Sequence, residues 1–201
     1  MNNSEIINME NKDLHMENSN PEVDSQLKGH AIEKRSRKSL RERLEQKFKE
    51  TDIKSYEEKD YWDRKTMNGF ATIPRVLPIT MQILDVLTKG RPIGHTYFCL
   101  WARQPDFSFM KIDNPTAFAI EAGFTRGRAT DTWKTRMAKL VEYGLIKSYE
   151  GHTGPYHYIL LRDPVKVMNE LNEKGEFQQT CLKHLYARFK ERAEEVGASY
   201  E

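Results

Sequence analysis

The part of the chain that most constrains the fold is residues 114–161, where two helical patterns are followed by a β-hairpin pattern. Asn114 and Pro115 form a typical helix start, because an asparagine side chain can cap the first turn and proline fits the first helical position. Gly123 is placed to end this helix in the left-handed conformation that glycine adopts without strain. The pattern therefore predicts a short helix that stops at a glycine turn.

A second helical pattern follows and has the clearest periodicity in the chain. Trp133, Met137, Leu140 and Val141 lie at positions i, i+4, i+7 and i+8, which predicts one buried stripe along a helix. Gly144 is placed to end the helix before a strand. The early part of the opposite face is small, polar or basic. Such a face suits the major groove of DNA, where short side chains let a helix approach the base edges.

This face and the hairpin that follows supply the candidate DNA contacts. Residues near the helix start are expected to read bases, and basic residues beside them are expected to bind phosphates. The candidates are, for bases, Arg128, Asp131, Thr132 and Thr135, and, for phosphates and register, Arg126, Lys134, Lys139, His152 and Thr153, with Arg136 flanking the same face.

The hairpin pattern consists of β-prone runs at residues 146–149 and 156–161 around a glycine-rich polar turn at residues 150–155. His152 and His157 lie in it and are conceivable metal ligands. Two hairpin histidines without further clustering of Cys, His or carboxylates are, however, typical of ordinary turn and strand residues. No metal site and no cofactor is expected.

A family resemblance rests on these motifs together with others upstream. The residues that carry it are Trp62-Asp63-Arg64-Lys65, Gly69-Phe70, Ile73-Pro74-Arg75, Gly94-His95-Thr96-Tyr97, Leu100-Trp101, Ala122-Gly123-Phe124, Ala129-Thr130-Asp131-Thr132-Trp133, Leu140 and Gly144-Leu145-Ile146. Through them, residues 62–161, about half the chain, resemble a winged helix-turn-helix domain of bacterial plasmid or mobile-element proteins linked to transcription or replication. The turn at residues 125–129 is longer and richer in glycine than a tight helix-turn-helix turn.

The patterns and the resemblance together predict a mainly α fold with a small β-hairpin, of the α+β class. We expect an acidic, disordered tail at residues 1–30 and a basic helical arm or linker at residues 31–60. The winged helix-turn-helix domain is expected at residues 61–163, and a C-terminal helical extension at residues 164–201.

The basic arm allows two interpretations. Residues 34–49 carry eight basic against two acidic side chains, and Leu40, Leu44 and Phe48 repeat every four residues. The arm either neutralises DNA phosphates, which makes binding salt-dependent, or is a solvated helix docked by its three apolar residues.

The C-terminal extension also leaves two alternatives open. Residues 164–174 predict one helix, and the apolar positions from Phe177 to Val196 recur at spacings of three and four, which predicts a longer one. The longer helix either forms a two-fold homodimer, suited to a palindromic DNA site, or packs on its own domain.

Composition limits the cellular locations in which the protein is expected. The chain is 38% hydrophobic and 31% charged, with no apolar run long enough for a membrane span and no basic start followed by an apolar core. Cys99 and Cys181 form no disulfide framework, and Cys99 is expected to be buried. These features favour a cytoplasmic protein, associated with the nucleoid or a plasmid.

Two functions follow as expectations. The first is sequence-specific binding of double-stranded DNA, as a transcriptional regulator or a plasmid replication or maintenance factor. The second is a winged-helix protein-interaction module that does not bind DNA directly. An enzyme is not expected, because the sequence contains no paired carboxylates at a glycine-framed site, no nucleophile with a base and no metal-ligand spacing.

Overall fold

The computed structural model describes residues 42–47, 50, 62, 64 and 67–198. The chain divides into two compact units, Met1–Tyr56 and Glu57–Glu201. In the first unit, residues 42–47 are helical and exposed. The acidic tail predicted for residues 1–30, and most of the basic arm predicted for residues 31–60, lie outside the described residues.

The second unit combines helices with a small antiparallel sheet, which confirms the α+β class. Its elements are α1 (Leu77–Leu87), α2 (Gly94–Arg103), β1 (Phe109–Lys111), α3 (Pro115–Glu121), α4 (Ala129–Glu142), β2 (Ile146–Gly151), β3 (Gly154–Leu161), α5 (Pro164–Glu173) and α6 (Thr180–Glu195).

Among the described helices, none combines the length and the apolar content that a bilayer crossing requires.

Local sequence signals account for the bounds of α3 and α4. The side chain of Asn114 accepts a hydrogen bond of 3.1 Å from the backbone N–H of Ala117, so the predicted cap is confirmed. Gly123 and Gly144 follow α3 and α4 with φ of 85° and 74°, a conformation that favours glycine. Both predicted helix ends are therefore confirmed.

The apolar stripe of α4 is buried, with one exception. Trp133, Met137 and Leu140 are at most 1% exposed, as predicted. Val141, which the periodicity also placed in the stripe, is 38% exposed. It lies one residue after Leu140, and a rotation of about 100° per residue takes it to the edge of the buried face.

The sheet has the order β1-β3-β2, with β3 in the centre. Met110 of β1 and Ser148 of β2 both lie opposite Ile159 of β3. The sequence predicted only the two strands of the hairpin. The three-residue β1 was missed because so short a segment has no periodicity, and its pairing with β3 is a long-range interaction.

The hairpin turn is tighter than predicted. β2 runs to Gly151 and β3 starts at Gly154, so only His152 and Thr153 lie between the strands, in place of a turn at residues 150–155. Gly154 has a φ of 110°, and the register shifts between Tyr149 and Gly151. Glycines at both strand ends permit this short connection.

The C-terminal helices pack in the same unit as the sheet. α6 starts at Thr180, three residues later than predicted, because the backbone of Gln179 is extended, with a ψ of 140°; Phe177 is buried in the segment before it. Leu182, Phe189 and Ala193 of α6 are buried, and the helix packs chiefly on α1. Burial of this stripe within the chain is the arrangement expected if α6 packs on its own domain.

Candidate functional site

Aromatic packing determines which face of α4 points outward. The ring of Trp133 lies 6.2 Å from that of Phe118 on α3 and 5.9 Å from that of Tyr156 on β3, measured between centroids. Through these two ring contacts, Trp133 joins α3 and α4 to the sheet. The opposite face of α4 therefore points away from the core, with Asp131 and Thr135 exposed.

The candidate residues at the start of α4 lie together. Arg126 and Arg128 are exposed in the turn that leads to the helix, and Asp131 is exposed in its first turn. They line an open groove of about 300 Å³ between α3 and α4, which Ile120 and Phe124 also line. Within the described part of the chain, Arg126 and Arg128 form no ion pair, so both guanidinium groups remain available to an anion.

Arg136 has an unusual environment on the flank of this face. Its guanidinium lies over the ring of Phe124, with Cζ 5.7 Å from the centroid, and its buried Nε makes no hydrogen bond with any residue that the structure describes. Burial lowers the pKa of Arg136, and the nearby positive charge of Arg91 lowers it further. Two neighbouring cations without a carboxylate partner in the described residues favour an anion beside them.

Arg91 was not among the residues predicted from the sequence. It belongs to the connection between α1 and α2, far along the chain from α4. Its closeness to Arg136 depends on how the helices pack, so no local sequence motif predicts it.

Three of the predicted contacts, Lys139, Thr135 and Thr153, form hydrogen bonds inside the protein. The Nζ of Lys139 donates to both carboxylate oxygens of Glu142, at 2.8 and 2.6 Å. The hydroxyl of Thr135 donates to the carbonyl of Asp131 at 2.9 Å, and that of Thr153 to the carbonyl of Ile112 at 2.7 Å. These groups must exchange or share a partner to contact a ligand. Thr132 and Lys134 are half-buried on α4 and have no such partner among the described residues.

The tip of the hairpin brings together groups from three segments. His152 is 67% exposed at its side chain, and its Nε2 lies 3.5 Å from Oδ1 of Asp113, in the connection between β1 and α3. The Nζ of Lys111 lies 3.0 Å from the same oxygen, and this hydrogen-bonded ammonium is the main cause of the lowered pKa of Asp113. His157, only 1% exposed, contacts the ring of His152 with 4.1 Å between centroids.

Asp113, His152 and His157 each offer one ligand atom, and these atoms lie within 4.8 Å of one another. The sequence placed the two histidines in the hairpin but did not predict a carboxylate beside them. Asp113 precedes them by about 40 residues, and the pairing of β1 with β3 brings it close. Among the described residues this is the group suited to a metal ion.

Comparison of the chain with known protein families, with curated proteins and with solved structures finds no match.

Proposed function

We propose that this chain binds double-stranded DNA sequence-specifically and inserts α4 into the major groove. The observation that carries the proposal is the outward face of α4, where polar side chains are exposed and Arg126 and Arg128, which pair with no described carboxylate, lie at the N-terminal end. Recognition helices commonly contact base edges from this end. The partial positive charge of the helix start adds to the attraction for phosphates.

The order of elements supports the same proposal. α2, β1, α3, α4, β2 and β3 follow one another, and the sheet order is β1-β3-β2. In a winged helix-turn-helix domain, α3 and α4 correspond to the two crossing helices and the β2–β3 hairpin corresponds to the wing. We infer this fold for residues 61–163, with α5 and α6 as its C-terminal extension.

The available donors suggest a division of roles. Arg128, Asp131, Thr132 and Thr135 are proposed to read base edges, since they lie on the outer face or at the start of α4. Arg126, Lys134 and the Arg91–Arg136 pair are proposed to bind phosphates. Lys139, His152 and Thr153, like Thr135, already face a polar partner and must exchange or share it to contact DNA.

In the cell, a protein of this kind acts on the nucleoid or a plasmid as a transcriptional regulator or a replication or maintenance factor. A homodimer through residues 177–196 belongs to this proposal only if it uses the exposed face of α6. Leu182, Phe189 and Ala193 are already buried within the chain.

One observation favours the alternative of a protein-interaction module. Phe107 is 62% and Phe109 38% exposed, and Phe109 stacks on Tyr158 at 5.6 Å between centroids. With Arg103 and Lys111, the two phenylalanines line an open groove of about 600 Å³. Aromatic residues and arginine are enriched in protein interfaces.

The test is fluorescence anisotropy of labelled duplexes, either of random sequence or flanking the gene for this protein, across a salt series. We expect tighter binding to the flanking DNA above a steeply salt-dependent background. Arg128→Ala should remove about 1–3 kcal/mol of discrimination between the two, whereas Lys134→Ala should weaken all duplexes alike. Lys183→Ala, which removes an exposed lysine on α6, is the matched control.

No binding to either duplex at low salt would overturn the proposal. Salt-independent capture of a protein partner, lost on Phe107→Ser, would then support the interaction module.

A further inference from the structure

The cluster of Asp113, His152 and His157 has the ligand types and spacing of a transition-metal site. Ligand atoms around a tetrahedral zinc ion lie roughly 3.3 Å apart, since each is about 2.0–2.2 Å from the metal. The Nε2 of His152 and Oδ1 of Asp113 are already 3.5 Å apart, and all three ligand atoms lie within 4.8 Å. Small side-chain movements therefore suffice to close the site.

Hydrogen bonds to His157 determine which of its nitrogens is free. The hydroxyl of Thr153 donates its proton to the carbonyl of Ile112 at 2.7 Å. The hydroxyl oxygen of Thr153 can then only accept a hydrogen bond from Nδ1 of His157, which is 2.7 Å away. The carbonyl oxygen of Ile112 lies 3.1 Å from the same nitrogen. Nδ1 therefore carries the proton in the neutral ring, and the lone pair is on Nε2.

This arrangement is the one that metal-binding histidines use. The nitrogen away from the metal donates to a carbonyl or another acceptor, which holds the ring in place and selects the tautomer. Nε2 of His157 forms no hydrogen bond with any described residue and is not among the fully enclosed polar atoms that lack a partner, so a cation can reach it.

We propose that Asp113, His152 and His157 bind one divalent transition-metal ion, for which Zn²⁺ is the best match. Two imidazole nitrogens and one carboxylate oxygen form a ligand set typical of zinc, with the fourth position left to water. The ion would join the β2–β3 turn and β3 to the segment before α3. This inference does not depend on DNA binding.

Lys111 is the charged group that competes with the metal ion for Asp113. Its Nζ lies 3.0 Å from Oδ1 of Asp113 and competes for the same carboxylate. Lys111 is exposed, so its flexible side chain can move into solvent when the metal binds.

The test is a titration of the full chain with ZnCl₂ after removal of metals by a chelator, with a reductant present. Isothermal calorimetry measures affinity and stoichiometry, and a thermal melt shows whether zinc raises the Tm. We expect one zinc ion per chain and a higher Tm. His152→Ala and Asp113→Asn change exposed side chains, so both variants should fold, and each should weaken zinc binding at least tenfold.

Thr153→Val tests the tautomer argument separately. It removes the hydroxyl that accepts from Nδ1 but retains all three ligands, and should weaken zinc binding by about 10–100-fold. His184→Ala, which removes an exposed histidine of α6, is the matched control and should bind zinc like the wild type.

Absence of saturable zinc binding by the wild type would overturn the proposal. Equal zinc affinity in the wild type, His152→Ala and Asp113→Asn would overturn it as well.

Discussion

Gly151 lies against the ring of His157, so closely that a β-carbon at residue 151 would be 2.1 Å from Cδ2 of His157. The lack of a side chain at this position allows β2 to cover the histidine. The register shift between Tyr149 and Gly151 occurs at the same place. The tight end of the hairpin and the burial of His157 therefore depend on one glycine.

Gly151→Ala should destabilise the protein by roughly 1–3 kcal/mol, because the new methyl group must displace the His157 ring or the strand. The free energy of unfolding from urea denaturation measures this effect. Gly127→Ala is the matched control, since a β-carbon there meets nothing within 4 Å, and it should change stability by less than about 1 kcal/mol. Equal effects of the two substitutions would contradict the packing argument.

Lys111→Gln should strengthen zinc binding by roughly two- to tenfold, since it removes a cation next to Asp113. Calorimetric titration with ZnCl₂ measures the change. Lys147→Gln, on the exposed side of β2, should leave zinc affinity unaltered. Weaker zinc binding after Lys111→Gln would show that the lysine supports the carboxylate instead of competing for it.

The ion pair between Arg162 and Glu170 should make stability depend on pH. Arg162 hydrogen-bonds Glu170 and the carbonyl of Gly144, and its guanidinium lowers the pKa of Glu170 from its ordinary value of 4.5. Because the folded pKa is the lower one, the contribution of the pair is complete above pH 4.5 and is lost as the pH falls through the folded value.

Glu170→Gln should therefore cost about 0.2–1 kcal/mol at pH 7, as is usual for a partly exposed pair. The difference from the wild type should shrink as the pH falls from 4.5 through the lowered pKa of Glu170 in the folded state, because the wild-type carboxyl is then protonated as well. Urea denaturation at several pH values measures it. If the loss of stability caused by Glu170→Gln stays the same down to low pH, the substitution acts through packing and not through the lost charge.

Phe189→Ala should destabilise the folded chain by about 3–5 kcal/mol, because Phe189 is fully buried between α6 and the rest of the chain. The unfolding midpoint of the wild type should not depend on protein concentration. A midpoint that rises with concentration would instead indicate that the protein associates, as the homodimer alternative requires.

Arg91→Ala should weaken binding to all DNA sequences and reduce the salt slope by about 0.9, if Arg91 contacts one phosphate. Stability should stay constant or rise, because the substitution removes a positive charge close to Arg136. Anisotropy and urea denaturation together measure the two effects. A loss of stability with unchanged DNA affinity would place Arg91 outside the interface.

Much of α3 and α4 was predictable from the sequence. The cap at Asn114, the glycine ends and the buried stripe through Trp133 and Met137 depend on interactions within a few residues. Where the prediction was wrong, the cause is packing. Val141 lies at the edge of the stripe, and the exact hairpin length depends on the register between β2 and β3.

Short-range signals encode the order of helices and hairpin and the polar outer face of α4, because helix caps, glycine turns and apolar repeats act within a few residues. Tertiary packing brings β1 to β3, Asp113 to His152 and His157, and Arg91 to Arg136. These groups are far apart along the chain. Their contacts arise from the packing of whole elements, which no short motif encodes.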